Sequence, residues 1–248
     1  YILIEAIKDA NHRIPVEADR FATDGAYHYP FLLHWLLSFV PYEYGSIERY
    51  FSAIMDVLFC GVVAITAGLG YITPVQTVLG FGIVLATPQL MRPDLSHGTG
   101  ISARKVGLLF VSVAMLSFTH WTLTGSTVSL CVGLGTGSLV FLTSKFSTQA
   151  YVFLTLGLSV VVTPLYGVAF LGAAVLAVVI SLGRYLRILE SHLRHLWTWA
   201  TYTQYKIPGF VPKTPLSEVA DFVRDFASIR SFGELKTLLG TNLVTQAF

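Results

Sequence analysis

Apolar positions run almost without interruption from residue 50 to residue 183. Between Val57 and Gly183 the charged residues are only Arg92, Asp94, Arg104, Lys105 and Lys145. A helix needs about 20 mostly apolar residues to cross the hydrocarbon core of a bilayer. The pattern predicts spans at 50–69, 71–90, 105–123, 126–142, 147–163 and 165–183. Lys145 and Pro164 are the only strong punctuation among the last four. The runs are rich in Gly and Ala and lack period-two alternation, which excludes a transmembrane β-barrel. The predicted fold class is all-α: a polytopic transmembrane helix bundle with an interfacial helix and a partly soluble C-terminal tail.

Three zones follow from this pattern: 1–48, the membrane body 49–183, and a polar tail 184–248 that is basic at first and then amphipathic. The first zone predicts a helix over about 1–11 and an irregular stretch through Gly25. Next comes Tyr27-His28-Tyr29-Pro30-Phe31-Leu32-Leu33-His34-Trp35-Leu36-Leu37. The apolar run after Pro30 is about ten residues long, too short to span and suited to a helix lying in the interface. Its Tyr, Trp and His residues fit the headgroup level, and Pro30 and Pro41 punctuate its ends. The tail opens with Arg184, Arg187 and Arg194 beside Trp197, Trp199 and Tyr202, then passes Pro208, Pro212 and Pro215 into an amphipathic stretch at 216–239. The segment 91–105 is also basic. Four crossings separate it from Arg184, so both lie on one side, and the positive-inside rule makes that side cytoplasmic.

Composition agrees with the pattern. The chain has 248 residues, 54% hydrophobic and 12% charged, where a soluble domain carries about 25% charged residues. A net charge of +2 gives no nucleic-acid signature. Cys60 and Cys131 both fall inside apolar runs without CxxC spacing, and read as packing residues. The first residue is Tyr rather than Met. A fragment is expected, with a first membrane helix and later spans outside these 248 residues.

The few ionisable groups in this greasy stretch are the functional clues, because a charge in hydrocarbon is costly. Asp56 is the only acid within a predicted span. Arg49 lies seven residues earlier on the same helical face, with a rise of about 10 Å between them, and Ser52 falls between. The seam either faces a cavity or ties two helices together. The segment Met91-Arg92-Pro93-Asp94-Leu95-Ser96-His97-Gly98-Thr99-Gly100-Ile101-Ser102-Ala103-Arg104-Lys105 is the densest polar cluster in the membrane body. Arg92 and Arg104 offer planar forks that suit a phosphate. Asp94 and His97 suit acid–base work or metal ligation. The alternative is a solvated connection whose charges only set topology. Asp19, Asp24, His28 and His34 surround the turn before Pro30, as a weak metal site or as polar interface anchors. Lys145 is either a snorkelling lysine at a helix end or a phosphate contact. Gly133, Gly135 and Gly137 allow close helix approach.

The order of these features resembles the GT-C superfamily of polytopic membrane glycosyltransferases, which includes protein O-mannosyltransferases and aminoarabinose transferases. The resemblance rests on Tyr29-Pro30-Phe31-Leu32-Leu33-His34-Trp35, on Glu48-Arg49-Tyr50-Phe51-Ser52-Ala53 opening a span, and on Thr87-Pro88 closing one. It continues through Ser102-Ala103-Arg104 and Gly133-x-x-x-Gly137 running into Leu142-Thr143-Ser144-Lys145, and covers about residues 1–165. It implies a multi-pass protein of the bacterial inner membrane, with 1–48 as an extracytoplasmic loop. The activity implied is transfer of a sugar from a polyprenyl-phosphate donor to an acceptor.

An acid of the first loop would act as base or as ligand to a divalent metal, and Asp24 is the acid here that matches. Arg49, Arg92, Asp94, His97, Arg104 and Lys145 would contact the phosphate or substrate. Two features depart from the family. Its key acid normally stands soon after the first span, upstream of Tyr1, and the second proline of its Tyr-Pro-Pro motif is Phe31 here. The resemblance also places 91–105 on the extracytoplasmic side, against the positive-inside rule. Cations kept for phosphate binding override that statistical bias, and the extracytoplasmic side is expected. Two other function classes compete: a transporter or flippase using Asp56 as a midplane charge, and a non-catalytic membrane scaffold.

Overall fold

A computed structural model of the chain describes residues 2–15, 29–40, 44–91, 101–198 and 224. Among the described residues all regular structure is helical, in nine helices. They are α1 (Ile2–Asp9), α2 (Leu32–Ser38), α3 (Tyr44–Gly68), α4 (Pro74–Met91), α5 (Ala103–Thr124), α6 (Thr127–Thr143), α7 (Lys145–Val161), α8 (Leu165–Ile180) and α9 (Arg184–Thr198). Helices α3 to α8 coincide with the six apolar runs read from the sequence. The expected amphipathic stretch at 216–239 lies outside the described residues, apart from Arg224.

The breaks between helices have local causes. Gly125 takes the left-handed conformation that ends α5, and its N–H closes on the carbonyl of Trp121. Ser126 then caps α6, its hydroxyl accepting from the N–H of Ser129. Ser144 serves two helices at once. It is the extended residue that ends α6, and its hydroxyl accepts from the N–H of Ser147 to start α7. Before α4, Thr73 and Gln76 form a reciprocal capping box, with Thr73 N–H donating to Gln76 Oε1 at 2.8 Å and Gln76 N–H to Thr73 Oγ1 at 3.3 Å. Pro74 holds the first helical position, where its missing N–H costs nothing.

The chain forms two compact units. One comprises 1–51 and 101–193, the other 52–100 and 194–248. In the second, the Val63 side chain lies 3.1 Å from where a methyl on Gly80 would sit, so α3 and α4 meet there without an intervening side chain.

In the first unit α6 is central, packing against α5, α7, α8 and α2. Two glycines permit this. A methyl group on Gly133 would collide with the Phe118 ring of α5. One on Gly137 would meet the Tyr151 hydroxyl of α7 and lie 3.0 Å from Cβ of Ala173 on α8. The core of this unit is built from Val111, Ala114, Phe118, Phe141, Tyr151, Ala169, Ala173 and Ala177, with Phe31 reaching in from the residue before α2. A second cluster, Ile4, Leu33 and Leu37 with Val40, Ala103 and Val106 against it, fastens α1 and α2 to the start of α5.

On α7 and α8 the sorting of residues is inverted relative to a water-soluble core. On α8 the buried stripe is Tyr166, Ala169, Ala173 and Ala177. The outward stripe is Val168, Leu171, Val175 and Val179, each 62–64% exposed. On α7 Ser147, Thr148, Tyr151 and Thr155 face inward, while Phe153, Leu156 and Val160 face outward. On these two helices small, hydroxyl-bearing and tyrosine residues face inward and large aliphatic ones cover the outside. In lipid, association rests on close backbone approach rather than on hiding large apolar groups. Among the described residues one helix, α5 with 22 residues, is by itself long and apolar enough to cross a membrane. Leu165–Ile180 with Arg184–Arg194 meets the same criterion only as a pair bent by 118°, and Ala53–Gly68 and Thr127–Thr143 are shorter apolar helices.

Substitution separates the glycines that set helix approach from one that does not. Gly133→Ala and Gly137→Ala each lower stability by about 1–3 kcal/mol through overpacking. Gly135 has nothing within 4 Å of its added methyl, so Gly135→Ala leaves stability unchanged or raises it by up to about 1 kcal/mol through helix propensity. Equilibrium unfolding of the three variants checks the ordering.

Candidate functional site at the cationic end of the first unit

Helices α5 and α7 begin at the same end of the first unit. Ser147 donates its hydroxyl to the Arg104 carbonyl at 3.2 Å, and Gly107 leaves the room that the Ser144 and Ser147 side chains occupy. Helix α6 finishes there, and α8 returns there through Ser181 to Gly183. Helix α9 then crosses this end, with Tyr185 5.1 Å from Phe141 and His192 Nε2 3.2 Å from Gln149 Nε2. The first zone closes over the same end. Lys8 donates to the Val40 carbonyl at 3.1 Å, Trp35 Nε1 to the His12 carbonyl at 3.1 Å, and Arg184 Nη1 to the Ile14 carbonyl at 2.8 Å.

Two of the residues singled out from the sequence meet here. The Arg104 guanidinium lies 3.9 Å over the ring of Phe146, and Lys145 Nζ stands 5.8 Å over the ring of Tyr29. Both are cation–π arrangements, the first much closer than the second. Lys145 is the first residue of α7, and Arg104 the second of α5. No acidic side chain lies in the first turn of either helix. A helix N-terminus carries about half a positive charge, so two positive helix ends and their cations point the same way. The floor beneath them is polar and closed: Thr143, Ser144, Ser147 and Thr148 are all buried.

The environment shifts the ionisable groups accordingly. Burial disfavours the charged ammonium of Lys145 and holds it below the usual lysine range. No carboxylate among the described residues offsets this shift. Burial also lowers His34, which is therefore neutral at pH 7. Its ring meets Tyr29 edge-on at 6.0 Å, and its buried Nδ1 has no hydrogen-bond partner. Tyr185 is pushed up to about 12 by burial and stays protonated.

A histidine–hydroxyl pair also occurs, but as a clamp. His12 Nδ1 and Ser38 Oγ are 2.9 Å apart. The Ser38 hydroxyl donates to the Trp35 carbonyl at 2.7 Å, so it accepts from His12 Nδ1–H. A buried serine whose proton is committed to a carbonyl is not an activated nucleophile, and stacking of His12 on Phe39 at 4.3 Å holds the ring in place.

The remaining sequence candidates divide by position. Asp24, Arg92, Asp94 and His97 lie outside the described residues, as do Asp19 and His28. Arg49 falls within α3, with its side chain outside the described part, and so does Ser52. Asp56 is half-buried in the second unit. Cys60 and Cys131 are free thiols, half-buried and exposed respectively. Among the described residues no three His, Cys, Asp or Glu side chains converge as a metal site. Sequence reasoning missed the aromatic partners, Tyr29 and Phe146, and the Gln149–His192 contact. For Phe146 the signal was present in its adjacency to Lys145; for the others the contact spans tens of residues. Comparison of the chain with family models, with curated proteins and with solved structures finds no match.

The depressed Lys145 has a pH signature. Its folded value lies below the unfolded 10.5, so the unfolded chain binds the proton more tightly. Its contribution is fully favourable above 10.5 and is lost as pH falls through the folded value. Lys145→Met, which keeps the stem and removes the charge, therefore stabilises the protein at pH 7. Melting curves of wild type and variant across the alkaline range should converge toward pH 10.5.

Proposed function

We propose that the chain is a multi-pass membrane protein that binds the phosphate of a polyprenyl-phosphate-linked sugar at the cationic end of its first unit and transfers the sugar to an acceptor. The observation that carries this reading is Lys145: a half-buried ammonium at a helix N-terminus, at the same end of the unit as Arg104, with no carboxylate among the described residues offsetting its burial. Among the described residues such a group lacks an anion. A phosphate supplies one and offers its oxygens to the positive ends of two helices and to the planar fork of Arg104. The membrane part of the proposal is supported by the outward row of large aliphatic residues on α8 and α7 and by the length and composition of α5. The sugar-transfer part is supported by the GT-C resemblance.

In the proposed reaction an acceptor oxygen bonds to the anomeric carbon as that carbon's bond to the phosphate oxygen breaks. The lipid phosphate departs with the electron pair, and the acceptor's proton passes to a carboxylate, for which Asp24 is the proposed base. Charge on the departing phosphate grows along this path. Arg104, Lys145 and the helix N-termini would stabilise it without reorganising.

Binding and transfer test the two halves separately. Each hydrogen bond to a charged group is worth about 1.5–3 kcal/mol, so Arg104→Ala and Lys145→Ala each weaken polyprenyl-phosphate binding by roughly 10- to 100-fold. Unchanged affinity in both variants rules out the phosphate site. Asp24→Asn leaves that binding intact and abolishes release of labelled sugar to acceptor in reconstituted vesicles; full activity in this variant removes Asp24 as the base.

A further inference from the structure

Helix α9 carries three distinct faces. Tyr185, Ile188 and His192 are buried against the bundle, fixed by the Phe141 and Gln149 contacts. Leu186 and Leu193, two turns apart on one row, are 55% and 58% exposed. Arg187 lies on the neighbouring exposed row, and over its length the helix has Arg184, Arg187 and Arg194 against a single acid, Glu190. Because the buried face is already occupied by the bundle, the leucine row cannot serve the core. It is a second apolar surface bordered by arginines.

The corner before α9 has the same character. Leu182 has φ +51° and Gly183 φ +80°, and this left-handed pair turns the chain by 118° between α8 and α9. A left-handed backbone is unfavourable for a bulky residue, and Leu182 is also 92% exposed. In water such a leucine has neither a conformational nor a burial reason to be there. An acyl layer at the rim of the bundle would give it one.

We infer that α9 is an interfacial helix that docks on an anionic phospholipid surface, with Leu182, Leu186 and Leu193 in the acyl boundary and the arginine row on the headgroups. The occupant follows from charge complementarity and from direction. The helix turns sharply away from α8, as a helix does when it leaves a span to lie in the membrane plane. Arginines along its water side select negative headgroups over zwitterionic ones. The inference rests on the membrane part of the proposed function and is independent of the phosphate site.

The test uses the full chain with Cys60 and Cys131 replaced by alanine and single cysteines carrying a fluorophore at Val175, Leu186 or Ser191. The protein is reconstituted in vesicles of phosphatidylcholine with a minority of phosphatidylglycerol, and quenching by brominated forms of each lipid is compared. The probe at Val175, on the outward row of α8, reports on the bundle itself and is quenched by both lipids. The probe at Leu186 is quenched as well, at least about twofold more per brominated phosphatidylglycerol than per phosphatidylcholine, and Arg187→Gln reduces this preference. The probe at Ser191, opposite the leucine row, is not quenched. Quenching at Val175 without quenching at Leu186 overturns the interfacial helix and leaves the membrane bundle standing. Quenching at Ser191 equal to that at Leu186 overturns it in favour of a broken span. A lipid preference that survives Arg187→Gln removes the arginine row as its cause. Absence of quenching at Val175 overturns the membrane reading and this inference together.

Discussion

The first unit depends on how closely α6 approaches its neighbours. Gly133 admits the Phe118 ring, and Gly137 admits the Tyr151 hydroxyl and the Ala173 methyl. The alanine stripe of α8 continues the same contact. Dispersion grows steeply at short range, so two helices whose backbones nearly touch gain many weak contacts along their length. This mode of packing lets large aliphatic side chains of α7 and α8 stay outside, while the aromatic rings of Phe118, Phe141 and Tyr151 fill the centre. It also leaves the Tyr151 hydroxyl buried without a partner, a polar cost that the aromatic packing around it must outweigh. That ring lies 5.6 Å from Phe141 and 5.3 Å from Phe170.

Close packing fixes where the chemistry can be. Because α5 and α7 are held at the level of Gly107 and Ser147, their first turns open at one end, with Arg104 and Lys145 on them. Each rests on an aromatic ring, Phe146 or Tyr29. Aromatic faces hold a cation without neutralising it. The Tyr29 ring is shared with a neutral His34. A group that stays uncharged on the ring that also holds Lys145 adds no charge there.

The same end gathers the helices that do not follow the bundle. Helices α1 and α2 fasten to the start of α5 through a small apolar cluster, and α9 folds over it after a left-handed turn. The Arg184–Ile14 hydrogen bond joins α9 to the chain after α1 across 170 residues of sequence.

Much of the helical layout was legible in the sequence. Apolar runs, Lys145 and Pro164 mark helix limits because a charge or an imino ring interrupts a greasy run, whereas the left-handed Gly125 that ends α5 came from the structure. Lys145 and Arg104 stood out because charges in apolar sequence are rare. The sequence could not assign faces. Helices α6 and α8 have no separate polar and apolar faces, so polarity gives no direction, and side-chain size decides much of what turns inward. Size sorts only against a partner surface: Gly133 matters because Phe118 is opposite, whereas Gly135, two residues on, faces nothing. For the same reason the rings under Arg104 and Lys145 and the second apolar face of α9 were settled by tertiary structure alone, since each depends on contacts between residues far apart in the chain.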